Sequence, residues 1–95
     1  MMSKAIWNGL VIADSKCILK LNGTCFFPHQ ALQLHYFTQS KTQKLFKIIG
    51  TANYYHLEVN GKRLDNAAYY FPNPKPHCKI IQNFIVFTEE IDVYE

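Results

Sequence analysis

The cysteines and histidines are the residues of this chain whose types could support catalysis or metal binding. Thiol catalysis needs a cysteine beside a histidine, and the candidates are Cys25 with His29, or Cys78 with a histidine distant in the sequence. No Cys-x-x-Cys or His-x-x-x-His spacing occurs, and His77 and Cys78 are adjacent, which suits one metal ion poorly. We therefore expect no bound metal or cofactor, and the residues leave open whether the protein is an enzyme.

The acidic residues and the glycines do not form a recognisable catalytic motif. Four of the seven carboxylates crowd the C-terminus, at Glu89, Glu90, Asp92 and Glu95. This crowding is typical of a solvated tail rather than of an acid–base pair. The four glycines, at positions 9, 23, 50 and 61, are isolated from one another, so the chain has no glycine-rich phosphate-binding loop.

Aromatic side chains make up 15% of the residues and are the most distinctive feature of the composition. Most are sequence neighbours, in the groups Phe26-Phe27, Tyr36-Phe37, Tyr54-Tyr55 and Tyr69-Tyr70-Phe71. Neighbours on a β-strand point to opposite faces, so one ring of each pair enters the core and the other must be covered in another way. A second core, a ligand-binding cleft or a homodimer interface would each cover these rings.

Our first functional hypothesis is a non-enzymatic β domain that binds a small molecule or a protein partner in an aromatic-lined cleft. Only one of Tyr54 and Tyr55 should face this cleft, because the two are neighbours on a strand. His29 and Lys75 are the candidate polar groups at its rim. The expected ligand-binding residues are Trp7, His29, Tyr54, Tyr55, Tyr69, Tyr70 and Lys75.

Three Asn-Gly pairs, at 8–9, 22–23 and 60–61, predict the hairpins that must position these residues. Asn-Gly favours a type I′ turn because both central residues of that turn take positive φ. The third turn sets the register of its strands: Val59 faces Lys62, Glu58 faces Arg63, Leu57 faces Leu64 and His56 faces Asp65. Apolar residues then share one face, and complementary polar or charged pairs share the other.

The predicted fold is mainly β: a small single domain over residues 1–95, built from folded-over antiparallel hairpins with one or two short helical turns. Strands are predicted at 4–7, 10–14, 17–21, 24–27, 33–38, 43–49, 51–59, 62–65, 67–71, 83–88 and 91–94. Helical turns are predicted at 28–32 and at 75–82, where Pro76 suits a helix start. The proline-rich stretch 71–76 is expected to be extended and unpaired, because its prolines lack backbone donors.

The net charge of +3 does not by itself favour nucleic-acid binding. Only Arg63 among the ten basic residues is an arginine, the type best suited to phosphate and guanine contacts. Nucleic-acid binding would need the lysines at 41, 44, 47, 75 and 79 to converge on one groove.

No apolar stretch reaches the roughly 18 residues of a membrane helix. An odd number of cysteines argues against a disulfide framework. We expect a cytoplasmic protein with free thiols.

The order of motifs along the chain resembles that of the bacterial domain-of-unknown-function family 427, which also carries a nucleotidyltransferase label. The similar segments are Lys4–Ala13, Phe26–Pro28, Gly50–Tyr55, Val59–Gly61, Asn66–Lys75 and Ile80–Phe87. The most specific is the run of two alanines, three aromatics and Pro-x-Pro-Lys at 67–75. The resemblance implies a compact, mostly antiparallel β fold, similar to the Mss4-like domains with their β-tent-like complex sheet but without their cysteine knuckles.

The chain departs from that family's pattern just before the Thr-Ala-x-Tyr-Tyr element. Members typically have Cys-Pro-Trp-Lys-Gly there, whereas this chain has Phe46-Lys-Ile-Ile-Gly50, and Tyr69 stands where tryptophan is usual. A family activity that used this cysteine as nucleophile could not be performed here. The label would also imply Gly-Ser followed by an Asp-x-Asp pair that holds magnesium, and the chain has neither. An enzyme acting on a nucleotide or other phosphate-bearing metabolite is our second hypothesis, and a homodimer-forming module the third.

Overall fold

Antiparallel pairing organises the chain into three sheets. The computed structural model describes residues 2–95. Its strands are β1 (Ser3–Trp7), β2 (Leu10–Ser15), β3 (Leu19–Leu21), β4 (Thr24–Phe26), β5 (Phe37–Phe46), β6 (Gly50–Val59), β7 (Lys62–Tyr70), β8 (Ile85–Phe87) and β9 (Asp92–Tyr94). The strand orders are β2-β1-β9, β3-β4 and β5-β6-β7-β8. The prediction of a mainly β fold is confirmed.

The Asn-Gly pairs form the three predicted hairpin turns. Asn8, Asn22 and Asn60 each have φ of 51°, and the glycines that follow them also have positive φ. In the β6–β7 hairpin the predicted pairs from Val59–Lys62 to Leu57–Leu64 are all present. His56 departs from the prediction because a bulge lies between Tyr55 and Leu57. Its Nδ1 still lies 3.5 Å from the carboxylate of Asp65.

The helical turns occur where the sequence predicts them, as 3-10 helices at His29–Ala31 and Pro76–Ile81. A third 3-10 turn at Leu34–Tyr36 was not predicted, and the strand prediction for 33–38 is wrong there, since β5 begins only at Phe37. No helix in the described part of the chain is long and apolar enough to cross a membrane. The 71–76 stretch is not wholly unpaired either, because the backbone N–H of Lys75 donates to the carbonyl of Ile49 at 2.7 Å.

Strand β5 joins parts of the predicted strands 33–38 and 43–49, and the prediction is wrong at 47–49, which form a turn. The strand carries a register shift between Gln39 and Gln43. Ser40, inside the shifted segment, is buried, and its hydroxyl donates to the side-chain oxygen of Asn66 at 2.6 Å. Asn66 has positive φ and joins the predicted strands 62–65 and 67–71 into the single strand β7. This polar contact links β5 to β7 across β6, within a stretch that has no apolar alternation.

Hydrophobic clusters cover both faces of the β5–β8 sheet. The first cluster contains Phe27, Leu57, Val59 and Ile85 among its fully buried residues. The second cluster is built on Phe26, Ala52, Phe71, Ile81 and Val86. Adjacent aromatics in three of the four groups separate between the two clusters, whereas Tyr36 and Phe37 both pack against the first.

Candidate functional site

A groove with a volume of about 400 Å³ opens on the side of the second cluster. We call it the apolar groove. Its walls are formed by Leu21, Asn22, Thr24, Phe26, Phe46, Ile48, Ile49, Tyr69, Phe71, His77, Cys78, Ile80, Ile81 and Val86. This volume falls in the range of about 300–1,000 Å³ that small-molecule sites occupy in proteins.

Aromatic rings form the floor of the apolar groove. The ring of Phe46 stacks on Tyr69 with centroids 5.6 Å apart, and meets Phe71 edge-on at 5.2 Å. Tyr54 supports Tyr69 from the next strand, with centroids 5.3 Å apart. Burial raises the pKa of the Tyr54 and Tyr69 phenols, so neither is ionised at neutral pH. The floor is therefore uncharged.

Three exposed aliphatic side chains form the rim of the apolar groove. Leu21 is 40% exposed, Ile48 73% and Ile80 64%. They come from the end of β3, the turn after β5 and the 3-10 helix at Pro76–Ile81. Exposed apolar side chains that cluster around a concave surface often mark an interaction site.

Gly50 allows the turn after β5 to approach the proline-rich segment closely. Its φ is +136°, and a Cβ at this position would lie 3.4 Å from the carbonyl oxygen of Asn73. Lys75 also joins the two segments, because its ammonium donates to the backbone carbonyl of Lys47 in the turn. Ile48 and Ile49 are held in this way against the 3-10 helix that supplies Cys78 and Ile80.

A separate polar cluster lies on the opposite face of the sheet, around His29. Its Nδ1 is 3.0 Å from the carbonyl of Asn83, to which only an N–H can donate. In the neutral imidazole Nε2 is then the acceptor, and the Tyr55 hydroxyl donates to it at 2.8 Å. Tyr70 stacks on Tyr55 and donates its own hydroxyl to Gln39 at 2.8 Å.

Burial, together with the neighbouring Tyr70, raises the pKa of Tyr55 to about 12. The Tyr55 phenol is therefore a hydrogen-bond donor over the whole neutral range and not a base. Because both ring nitrogens of His29 are engaged, this cluster resembles a satisfied structural contact more than an exposed reactive group.

The seven residues predicted for the cleft are divided between the two faces of the sheet. Tyr69 lines the apolar groove and Tyr54 packs behind it. On the other side lie Trp7, His29, Tyr55 and Tyr70, which pack with the first cluster or bond to its members. Lys75 borders a further concavity with Lys79 and the prolines around it. Tyr54 and Tyr55 point to opposite faces of the sheet, with Tyr54 on the groove side, but neither ring lines the groove.

Sequence reasoning missed the groove residues that come from outside the tyrosine pairs. Phe71 could have been found, because it lies two residues after Tyr69 and so shares its face. Phe46 pairs with Gly50 at the end of the β5–β6 ladder, a register that the sequence did not predict. The aliphatic rim comes from three distant segments, and no local pattern brings them together.

None of the candidate nucleophiles is hydrogen-bonded to a histidine. Cys17, Cys25 and Cys78 are free, and Cys17 is exposed. No side-chain hydrogen bond in residues 2–95 joins a cysteine to a histidine, and His29 bonds Tyr55 and Asn83 instead. Burial, and then Glu95, raises the pKa of the Cys25 thiol, which disfavours the reactive thiolate. No group of three or more metal-binding side chains occurs among the described residues.

The fold and the groove define a small antiparallel β protein with an apolar, aromatic-floored concavity on one side of its largest sheet. A family model described as "Domain of unknown function (DUF427)" matches residues 2–95. The chain belongs to this family, as the motif order indicated. No curated protein matches the chain.

Proposed function

We propose that the protein binds a small apolar or aromatic molecule in the apolar groove and does not transform it. The observation that carries this proposal is the rim of exposed Leu21, Ile48 and Ile80 around a floor of stacked aromatic rings. An apolar ligand seated there would remove these side chains from water, which is the main favourable term in such binding.

The size and position of the groove favour a small molecule over a second copy of the chain. A standard protein interface buries about 800 Å² on each partner and needs a broad complementary surface. The rim residues instead surround a concavity of about 400 Å³, a shape that suits an inserted ligand. A homodimer built on this surface would have twice the mass of the chain, and its mass would fall in an Ile80→Asp variant.

An enzymatic role has less support. Cys78 is the one thiol in the groove wall, and no histidine bonds it. Cys25 lies in another concavity beside Glu95, and His29 bonds Tyr55. The departure of Phe46–Gly50 from the family's usual residues falls in the groove wall, so relatives with other residues there would select other ligands. We place the protein in the cytoplasm, where free thiols persist.

Binding of a neutral fluorescent aromatic, N-phenylnaphthylamine, tests this proposal. We expect saturable binding to the wild type, and about fivefold weaker binding to Ile80→Ser, because contact with an isoleucine side chain contributes about 1 kcal/mol. Leu34→Ser is the matched control, since Leu34 is 57% exposed but lies outside the groove. Absence of binding, or equal losses in both variants, would contradict the proposal.

A further inference from the structure

We infer that the molecule bound in the apolar groove is an amphipathic anion, whose acid group pairs with the Lys44 ammonium while its apolar body fills the groove. This inference rests on the proposed function and adds the charge of the ligand to it. Three observations support it: the position of Lys44, the distribution of acidic residues, and the character of the groove walls.

Lys44 holds its ammonium group beside the groove floor. It precedes Phe46 by two residues on β5, so both side chains lie on the same face of the sheet. Its Nζ lies over the Phe46 ring, 5.3 Å from the centroid. The ion pairs among residues 2–95 involve Lys20 and Arg63 but not Lys44. Lys44 is exposed and does not itself line the groove, so its ammonium lies at the edge, beside a ring of the floor, with N–H donors that no ion pair engages.

The distribution of charge around the groove favours an anion. Every residue that lines the groove belongs to one of two stretches, 15–57 and 66–88, which contain no Asp or Glu. Seven of the nine lysines lie in these same stretches. The carboxylates belong to residues 14, 58, 65 and 89–95. Glu89 and Glu95 line a neighbouring concavity that shares Thr24, Tyr69 and Val86 with the groove, and Glu95 is paired with Lys20. An anionic ligand therefore meets no acidic side chain in the groove walls.

The groove walls are mainly apolar, with Asn22, Thr24 and His77 as polar members, and suit a ligand with an apolar body better than one that is charged throughout. Tyr69, Phe71 and Val86 offer an anion no charged partner. A free phosphate would not cover these apolar side chains, which would stay exposed to water. A single ammonium at the edge of an apolar groove instead matches a molecule with one carboxylate or sulfonate at the end of an aromatic or aliphatic body. Nucleic acid would need a continuous track of cations, whereas Arg63 lies in the β6–β7 hairpin and bonds Asp65.

Two probes with the same aromatic frame test the inference: anilinonaphthalene sulfonate, which is anionic, and N-phenylnaphthylamine, which is neutral. We expect the sulfonate to bind wild-type protein more tightly than the neutral probe. Lys44→Gln should weaken sulfonate binding about three- to fivefold, the size of an exposed charge pair, and leave the neutral probe unchanged. Added salt should reduce the difference between the probes, because it screens an exposed pair.

Lys62→Gln is the matched control, since Lys62 is exposed in the β6–β7 hairpin and does not line the groove. It should leave the binding of both probes unchanged. If the neutral probe binds but Lys44→Gln affects both probes equally or neither, the inference is wrong and the proposed function stands. If neither probe binds the wild type, both are wrong.

Discussion

At the scale of single residues, hydrogen bonds and ring contacts connect three of the predicted site residues, His29, Tyr55 and Tyr70. The imidazole links the backbone at Asn83 to the Tyr55 hydroxyl, and so joins the loop before β8 to strand β6. His29 also meets the Tyr70 ring edge-on, with centroids 4.9 Å apart. Sequence reasoning identified these three residues as chemically capable, but their bonding partners are distant in the chain and could not be foreseen.

Removing the Tyr55 hydroxyl tests whether this contact stabilises the fold. We expect Tyr55→Phe to lower the free energy of unfolding by about 1 kcal/mol, because Nε2 of His29 loses its donor in a half-buried position. Urea denaturation measures this change. Tyr94→Phe is the control, since the Tyr94 side chain is exposed and its hydroxyl makes no hydrogen bond within the described residues. Equal stability of the two variants would contradict the structural role.

The tyrosine pKa values predict a loss of stability at alkaline pH. The pKa of Tyr55 is about 12 in the folded protein, against 10.0 for an unperturbed tyrosine. The unfolded chain therefore loses this proton first as the pH rises, and stability falls between about pH 10 and 12. Burial shifts the pKa of Tyr54 and Tyr69 in the same direction.

Denaturation curves at successive alkaline pH values measure this loss. The decline should be shallower in Tyr55→Phe than in the wild type, because one of the linked protons is absent. A decline of the same steepness in both proteins would show that Tyr55 does not titrate as described.

At the scale of elements, the turn from Phe46 to Gly50 decides where the rim of the apolar groove lies. We expect Gly50→Ala to lower the free energy of unfolding by about 2–3 kcal/mol, because a φ of +136° lies outside the region open to alanine. Gly61→Ala is the matched control, with φ of +78° and open space around its Cβ. It should lose only about 1 kcal/mol. Thermal or urea unfolding compares the two, and an equal loss would contradict this account of the turn.

How far the elements could be predicted from the sequence depends on how local their causes are. The hairpins follow from Asn-Gly turns, whose two residues set φ and therefore the register of the adjoining strands. The 3-10 helix at Pro76–Ile81 follows from one proline. The bulges could not be predicted, because the pairing of Ser40 with Asn66 depends on two strands that the sequence separates by 26 residues.

At the scale of the whole molecule, the β5–β8 sheet separates a closed face from an open one. The first cluster is covered by β1, β2 and the 3-10 turn at His29–Ala31, and most of its aromatics are at least half-buried. The second cluster is covered only in part, and the apolar groove is the uncovered remainder. The sequence predicted that both faces of the sheet carry aromatic rings that must be covered, because neighbouring residues on a strand point to opposite faces. It could not predict which face stays open, since that depends on the packing of distant segments.

The central claim is that the open face, and not the His29 face, binds the ligand. Amide chemical-shift mapping by NMR, with N-phenylnaphthylamine added stepwise, tests it most directly. The account predicts shifts at Ile48, Cys78 and Ile80, which line the groove, and unchanged signals at His29 and Tyr55 on the opposite face. Shifts centred on His29 and Tyr55, with the groove residues unchanged, would contradict it.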